Sequence, residues 1–70
     1  MKAIEISDEF IKLGQLLKLA GMVSSGVEAK IMITGGKVKV NGETETRRGK
    51  KIYPQDIVEY QGKEIIVIGE

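Results

Sequence analysis

KVKVNGETETRRGKK, residues Lys37 to Lys51, opens as an alternating strand, turns at Asn41-Gly42 and runs into four basic residues grouped around Gly49. Val38 and Val40 alternate with Lys37 and Lys39, a period of two that predicts valines facing a core and lysines facing solvent. Asn-Gly between such arms is the strongest short signal for a two-residue type I′ hairpin turn, because both central residues need positive φ. A rigid hairpin projects Lys37 and Lys39 at a fixed spacing, while Arg47, Arg48, Lys50 and Lys51 crowd the segment beyond it. From Lys30 to Lys51 there are seven basic side chains against two acidic ones, a local charge of +5 that the rest of the chain, at −4, nearly cancels. The molecule is therefore strongly dipolar at a formal net charge of +1. Such a surface attracts polyanions through Coulomb forces and counterion release.

On the N-terminal side, Lys2 to Ile6 alternates enough to predict a short strand, and Ser7-Asp8-Glu9 supplies an N-cap and acidic residues for a helix starting near Asp8. Phe10, Leu13, Leu16, Leu17 and Ala20 fall at the spacing of one helical face, with Lys12, Gln15 and Lys18 stepping by three along another. Gly21 is the expected stop. Ser24-Ser25-Gly26 offers a serine cap for a second helix whose apolar positions are Val27, Ala29, Ile31 and Ile33 or their helical neighbours, ended by Gly35-Gly36. On the C-terminal side, Tyr53-Pro54-Gln55-Asp56 predicts a turn, Ile57 to Tyr60 a strand, Gln61-Gly62 another turn and Lys63 to Ile68 a last strand. The expected fold class is α+β: two N-terminal helices packed on a small, mostly antiparallel sheet, in one domain spanning residues 1–70.

Seventy residues bury only about 60% of the surface that the unfolded chain exposes, which leaves a modest core and little room for a deep substrate pocket. The chain has no cysteine and no histidine, so it lacks thiolate chemistry, the usual metal ligand and the near-neutral general base. Its carboxylates are scattered among lysines, and no catalytic residue, cofactor or metal site is expected. Gly35-Gly36 and Gly49-Lys50-Lys51 do not fit the spacing of a phosphate-binding P-loop. Ile68-Gly69-Glu70 lacks the terminal Gly-Gly of a sulfur-carrier or ubiquitin-like tail. No basic-then-apolar leader precedes the fold and no apolar run approaches the roughly 18 residues that span a bilayer, so a cytoplasmic protein is expected.

What remains is a contact surface suited to phosphates. Arginine grips a phosphate with two parallel hydrogen bonds, Gly49 permits close backbone approach, and the start of the second helix adds free N–H groups beside Ser24 and Ser25. Three elements thus converge on one polyanion backbone. Each feature also has a plainer role. A run such as Arg47 to Lys51 is often only a soluble loop, Asn41-Gly42 is architectural, the Lys12, Gln15 and Lys18 row is most simply a solvated face, and the serines cap a helix first. Tyr53 and Tyr60 are expected to fill the edge of the core, with base stacking as the minority reading.

The order of elements, with Glu28-Ala29-Lys30 followed by Gly36-Lys37-Val38-Lys39-Val40-Asn41-Gly42, a basic segment and an Asp56-x-Val58 strand, resembles the S-four RNA-binding domain, or αL motif. The likeness covers about residues 10–60. Within that family the chain is similar to the short stand-alone bacterial proteins of the YaaA and YbcJ type in Leu13 to Lys18, Ser25-Gly26, Glu28 to Lys30, Gly36 to Gly42 and Glu45 to Lys51. The resemblance implies that RNA lies across the two helix N-termini and the hairpin, touching Lys12, Gln15, Ser25, Glu28, Lys30, Lys37, Lys39 and Asn41. It also marks departures. Lys12-Leu13-Gly14 stands where the family has an Arg-Leu-Asp triplet, and Ser25-Gly26 where it has Ser-Arg, so Arg47, Arg48, Lys50 and Lys51 are expected to compensate.

The function expected from this reading is non-catalytic binding of structured RNA, ribosomal RNA above all, by a monomer. A tRNA or a stalled large ribosomal subunit is an alternative within the same class. Duplex DNA binding is another, opposed by a second helix with only Glu28 and Lys30 as long charged side chains. A protein-interaction adaptor using Lys63 to Ile68 as an open sheet edge is a third.

Overall fold

A computed structural model describes residues Met1 to Glu70. The chain runs β1 (Lys2–Ile6), β2 (Ile11–Lys12), α1 (Leu13–Leu19), α2 (Gly26–Thr34), β3 (Val38–Val40), β4 (Glu43–Thr44), β5 (Lys51–Ile52), β6 (Ile57–Tyr60) and β7 (Lys63–Gly69). Five strands form one sheet in the order β1-β7-β6-β3-β4, and β2 pairs with β5 in a separate two-stranded ribbon. All pairings are antiparallel except β1 with β7, which run parallel with Ile4 opposite Val67. The α+β arrangement is as expected, with two strands, β1 and β2, ahead of the helices.

The hairpin that opened the sequence reading forms as its turn chemistry requires. Asn41 and Gly42 both take positive φ, 51° and 86°, and Val40 pairs with Glu43 across them. Val38 and Val40 are buried while Lys39 between them is exposed. Sixteen buried apolar residues make a single core. Leu13, Leu16, Leu17 and Ala20 of the first helical region, Ala29 and Ile33 of α2, and the inward residues of the sheet all contribute to it. Each fully buried Leu, Ile or Val contributes about 1.5–3 kcal/mol. The apolar set of α2 resolves into two faces: Ala29 and Ile33 are buried, whereas Val27 and Ile31, one turn apart on the other side, are exposed. Residues spaced by two cannot share a helical face, so helical geometry selects the i, i+4 pair that meets α1.

Three expectations are corrected. The first helix starts at Leu13, not near Asp8, because Ile11 and Lys12 are extended and paired with Ile52 and Lys51. Lys12 is its N-cap, with no side-chain cap bond, and Phe10 lies outside the helical face on which periodicity placed it. The last strand is not an edge. β7 lies between β1 and β6 with hydrogen-bonded neighbours on both sides, which removes the open edge that an adaptor role required. The two tyrosines part company: Tyr60 is buried in the core and Tyr53 is exposed.

Candidate nucleic-acid interface

Beyond β4 the basic segment does not continue the hairpin. It crosses to the start of α1, where the Leu13 N–H donates to the Lys50 carbonyl at 2.9 Å and the Gly14 N–H donates to the Arg48 carbonyl at 3.1 Å. Lys51 and Ile52 then pair with Lys12 and Ile11, and fully buried Ile52 pins the segment into the core. Backbone carbonyls thus do the work of the missing cap on α1. The Leu13 and Gly14 N–H groups are engaged inside the protein.

Gly14 has a steric reason to lack a side chain. A Cβ built on it would lie 2.9 Å from Arg48 Cγ, inside any tolerated contact distance. The stem of Arg48 therefore occupies the space where a side chain at Gly14 would begin. Beside it is a hollow of about 270 Å³ lined by Lys12, Gly14, Gln15, Lys18, Gly26, Arg48 and Gly49, with no apolar residue and no carboxylate. Side chains of β2, α1 and the basic loop meet there beside the backbone of Gly26, which opens α2. Lys18, left on a solvated face by sequence reading, joins Lys12 and Gln15, and the step of three along α1 was the signal for it.

The start of α2 is strongly capped. Ser25 Oγ accepts from the Glu28 N–H at 3.1 Å, and Glu28 Oε1 accepts from the Ser24 N–H at 2.6 Å and from Ser24 Oγ at 3.0 Å. Ser25 and Glu28 are thus occupied with the helix itself, while the Gly26 N–H at the hollow has no protein acceptor.

The remaining candidate residues divide. Arg47, Lys50 and Lys51 line a second hollow of about 500 Å³ with Gly49 and Tyr53. Arg47 is held by Glu45, with Nε donating to Oε2 at 2.9 Å, Nη2 to Oε1 at 3.2 Å and the Arg47 backbone N–H to Oε2 at 3.0 Å. These bonds hold the Glu45 carboxyl well below its ordinary value of 4.5, at about 2, and raise the already high pKa of Arg47. Asn41 is spent on architecture: its Nδ2 donates to Asp56 Oδ1 at 3.0 Å and its Oδ1 accepts from the Ile57 N–H at 2.9 Å. Lys30 is exposed on α2, one turn beyond Gly26. Lys37 is exposed just past the end of α2. Lys39 projects from the sheet face away from the helices, opposite Glu59 of β6, and stands apart from both hollows.

The model of the S4 domain matches residues 4–68. The chain belongs to the S4 domain family. It is 48% identical over 59 residues, 84% of this chain and 83% of the relative, to a protein of Bacillus subtilis named a probable ribosome maturation protein, RlbA. It is 43% identical over 58 residues, 83% of each chain, to the putative RNA-binding protein YbcJ of Escherichia coli. The solution structure of that YbcJ, described as revealing an αL motif involved in RNA binding, superposes with a TM-score of 0.75 at 38% identity, covering 97% of this chain and 87% of the other.

In this S4 domain no group of three or more His, Cys, Asp or Glu side chains is placed to hold a metal ion, and no helix is long and apolar enough to cross a membrane. The outward side chains of α2 include Val27, Lys30 and Ile31, with no row of Arg, Asn or Gln to read base edges in a major groove. What the surface offers chemically is a group of cations at fixed separations with few competing carboxylates, which suits the oxygens of a phosphodiester backbone.

Proposed function

We propose that this S4 domain is a non-catalytic RNA-binding module that recognises structured RNA through its backbone and shape, and that its target is ribosomal RNA during assembly or maturation of a ribosomal subunit in the cytoplasm. The observation that carries the reading is the hollow where Lys12 of β2, Lys18 of α1 and Arg48 of the basic loop converge beside the start of α2, free of apolar and acidic side chains. A-form RNA keeps its base edges in a deep, narrow groove and displays phosphates and 2′-hydroxyls, so a small basic surface reads those groups. The names of the B. subtilis and E. coli relatives support RNA as the ligand and the ribosome as its setting.

Within the site, Lys12 and Lys18 act as point charges along α1, Gln15 between them supplies a neutral donor and acceptor, and Arg48 provides the bidentate grip. Arg48 stands in for the arginine that Ser25-Gly26 lacks. Arg47, Lys50, Lys51, Lys30 and Lys37 extend the positive field, and Ser25 and Glu28 fix the start of α2 instead of gripping phosphate. The test is fluorescence anisotropy with a labelled ribosomal RNA hairpin and the folded Lys12→Ala, Arg48→Ala double variant. Loss of two phosphate contacts is expected to weaken binding by about tenfold or more on every RNA tried, because such contacts carry no sequence information. Unchanged affinity would place the interface elsewhere on the domain.

A further inference from the structure

Tyr53 is the one residue of the basic groove that has no use in backbone binding. Its neighbour in the aromatic count, Tyr60, is 4% exposed in the core, whereas Tyr53 is 40% exposed beside Lys50 and Lys51. The ring is not loose. Phe10 backs it with ring centroids 5.8 Å apart at 52°, and Lys51 Nζ sits 4.8 Å from the centre of the Phe10 ring. The backbone is pinned as well: the Tyr53 N–H donates to Asp56 Oδ2 at 2.8 Å, and the Asp56 N–H donates back to the Tyr53 carbonyl at 3.0 Å. A pre-positioned aromatic side chain, open on one side and rimmed by cations, is the arrangement on which a nucleobase stacks while its flanking phosphates are neutralised.

We infer that Tyr53 is a stacking site for one unpaired nucleotide, so that the RNA taken by this domain carries a bulged or looped-out base next to its helical part. The inference rests on the RNA reading above and narrows its ligand class. The hollow of about 500 Å³ lined by Arg47, Gly49, Lys50, Lys51 and Tyr53 has no carboxylate, and its size is that of a small-ligand site. A neighbouring hollow shares Tyr53, Lys50 and Lys51 but also holds Glu43, Glu45 and Asp56, whose charges repel phosphate. The nucleotide therefore enters from the side of Arg47 and Gly49. A base in a continuous duplex has both faces covered by its neighbours, so only an unpaired one reaches the ring.

Two blunt-ended RNA duplexes with the same base pairs and no hairpin loop test this, one fully paired and one with a single bulged adenosine, titrated against wild type, Tyr53→Ala and Tyr53→Phe. The wild type is expected to bind the bulged RNA about tenfold or more tightly than the paired one, with Tyr53→Ala abolishing the difference and Tyr53→Phe, which keeps the ring, preserving it. Equal wild-type affinity for the two RNAs overturns the stacking site and leaves backbone binding standing. A Tyr53→Ala variant that weakens both RNAs alike also overturns it, because the ring then serves only to support the loop. Binding of neither RNA by the wild type overturns the RNA reading itself.

Discussion

Gly14 and Arg48 form a reciprocal pair, one residue giving up its side chain so that the other can lie across the start of α1. Gly14→Ala removes glycine from a helix, which by itself favours folding by about 0.5–1 kcal/mol, but forces Arg48 Cγ to move. Because Cγ lies only one bond beyond Arg48 Cβ, relief takes a χ1 rotation of the whole side chain, and the variant is expected to lose RNA affinity with a modest fall in thermal midpoint, as differential scanning fluorimetry and anisotropy on one sample would show. A midpoint lowered by much more would mean that the loop backbone, and not the arginine alone, is displaced. Glu45 is the second residue with a specific consequence. With its carboxyl held at about 2 by Arg47, the stability it contributes is complete above its ordinary 4.5 and is lost only as the pH falls towards 2. A carbon-detected NMR titration should find the Glu45 carboxyl midpoint well below its ordinary 4.5, and an ordinary midpoint would show that the ion pair with exposed Arg47 does not persist in solution.

At the level of elements, the ribbon of β2 and β5 carries the site, since it is what fastens the basic loop to α1. Ile52 is fully buried at its centre. Ile52→Ala is expected to cost about 2–5 kcal/mol, a large share of the roughly 3–10 kcal/mol available to a chain this size, and urea unfolding measures it directly. A loss under 1 kcal/mol would show the ribbon to be dispensable. Ser25→Ala should cost only about 1 kcal/mol through the lost cap on α2, read in the same experiment. The hairpin, the second helix and the late turns were legible because each is local: Asn41-Gly42, Ser25 with Glu28, Pro54 and Gln61-Gly62 act within a few residues. The start of α1 was not, because Ser7-Asp8-Glu9 carries the local signature of a cap while the decisive partners, Arg48, Lys50 and Lys51, lie some forty positions away. The same holds for β7, whose pairing with β1 joins the two ends of the chain, and for Asp56, which ties the hairpin tip to the Tyr53 turn through Asn41. Candidate residues showed the same division. Charge patterning found the basic run and the family resemblance added Lys12 and Gln15, but only the folded chain separates Arg48, beside α1, from Arg47, held by Glu45, and from Lys39, on the far face of the sheet.

Over the whole molecule the charge is separated as well as unequal. The loop side carries Arg47, Arg48, Lys50 and Lys51, while the outward face of the sheet places Glu5, Glu59 and Glu64 on β1, β6 and β7, with Lys39 opposite Glu59. This polarity orients the domain towards a polyanion from a distance and makes its affinity depend on salt. If four to six phosphates are neutralised, log affinity should fall with log salt at a slope of roughly −3 to −5. The most direct test of the central claim is a salt-dependent fluorescence titration of the intact protein with a structured ribosomal RNA fragment, repeated with duplex DNA of equal charge as competitor. Binding that keeps its preference for RNA at physiological salt, with a slope in that range, is the expected result. Equal displacement by the DNA would reduce the surface to a nonspecific basic patch, and no binding to either would contradict the account.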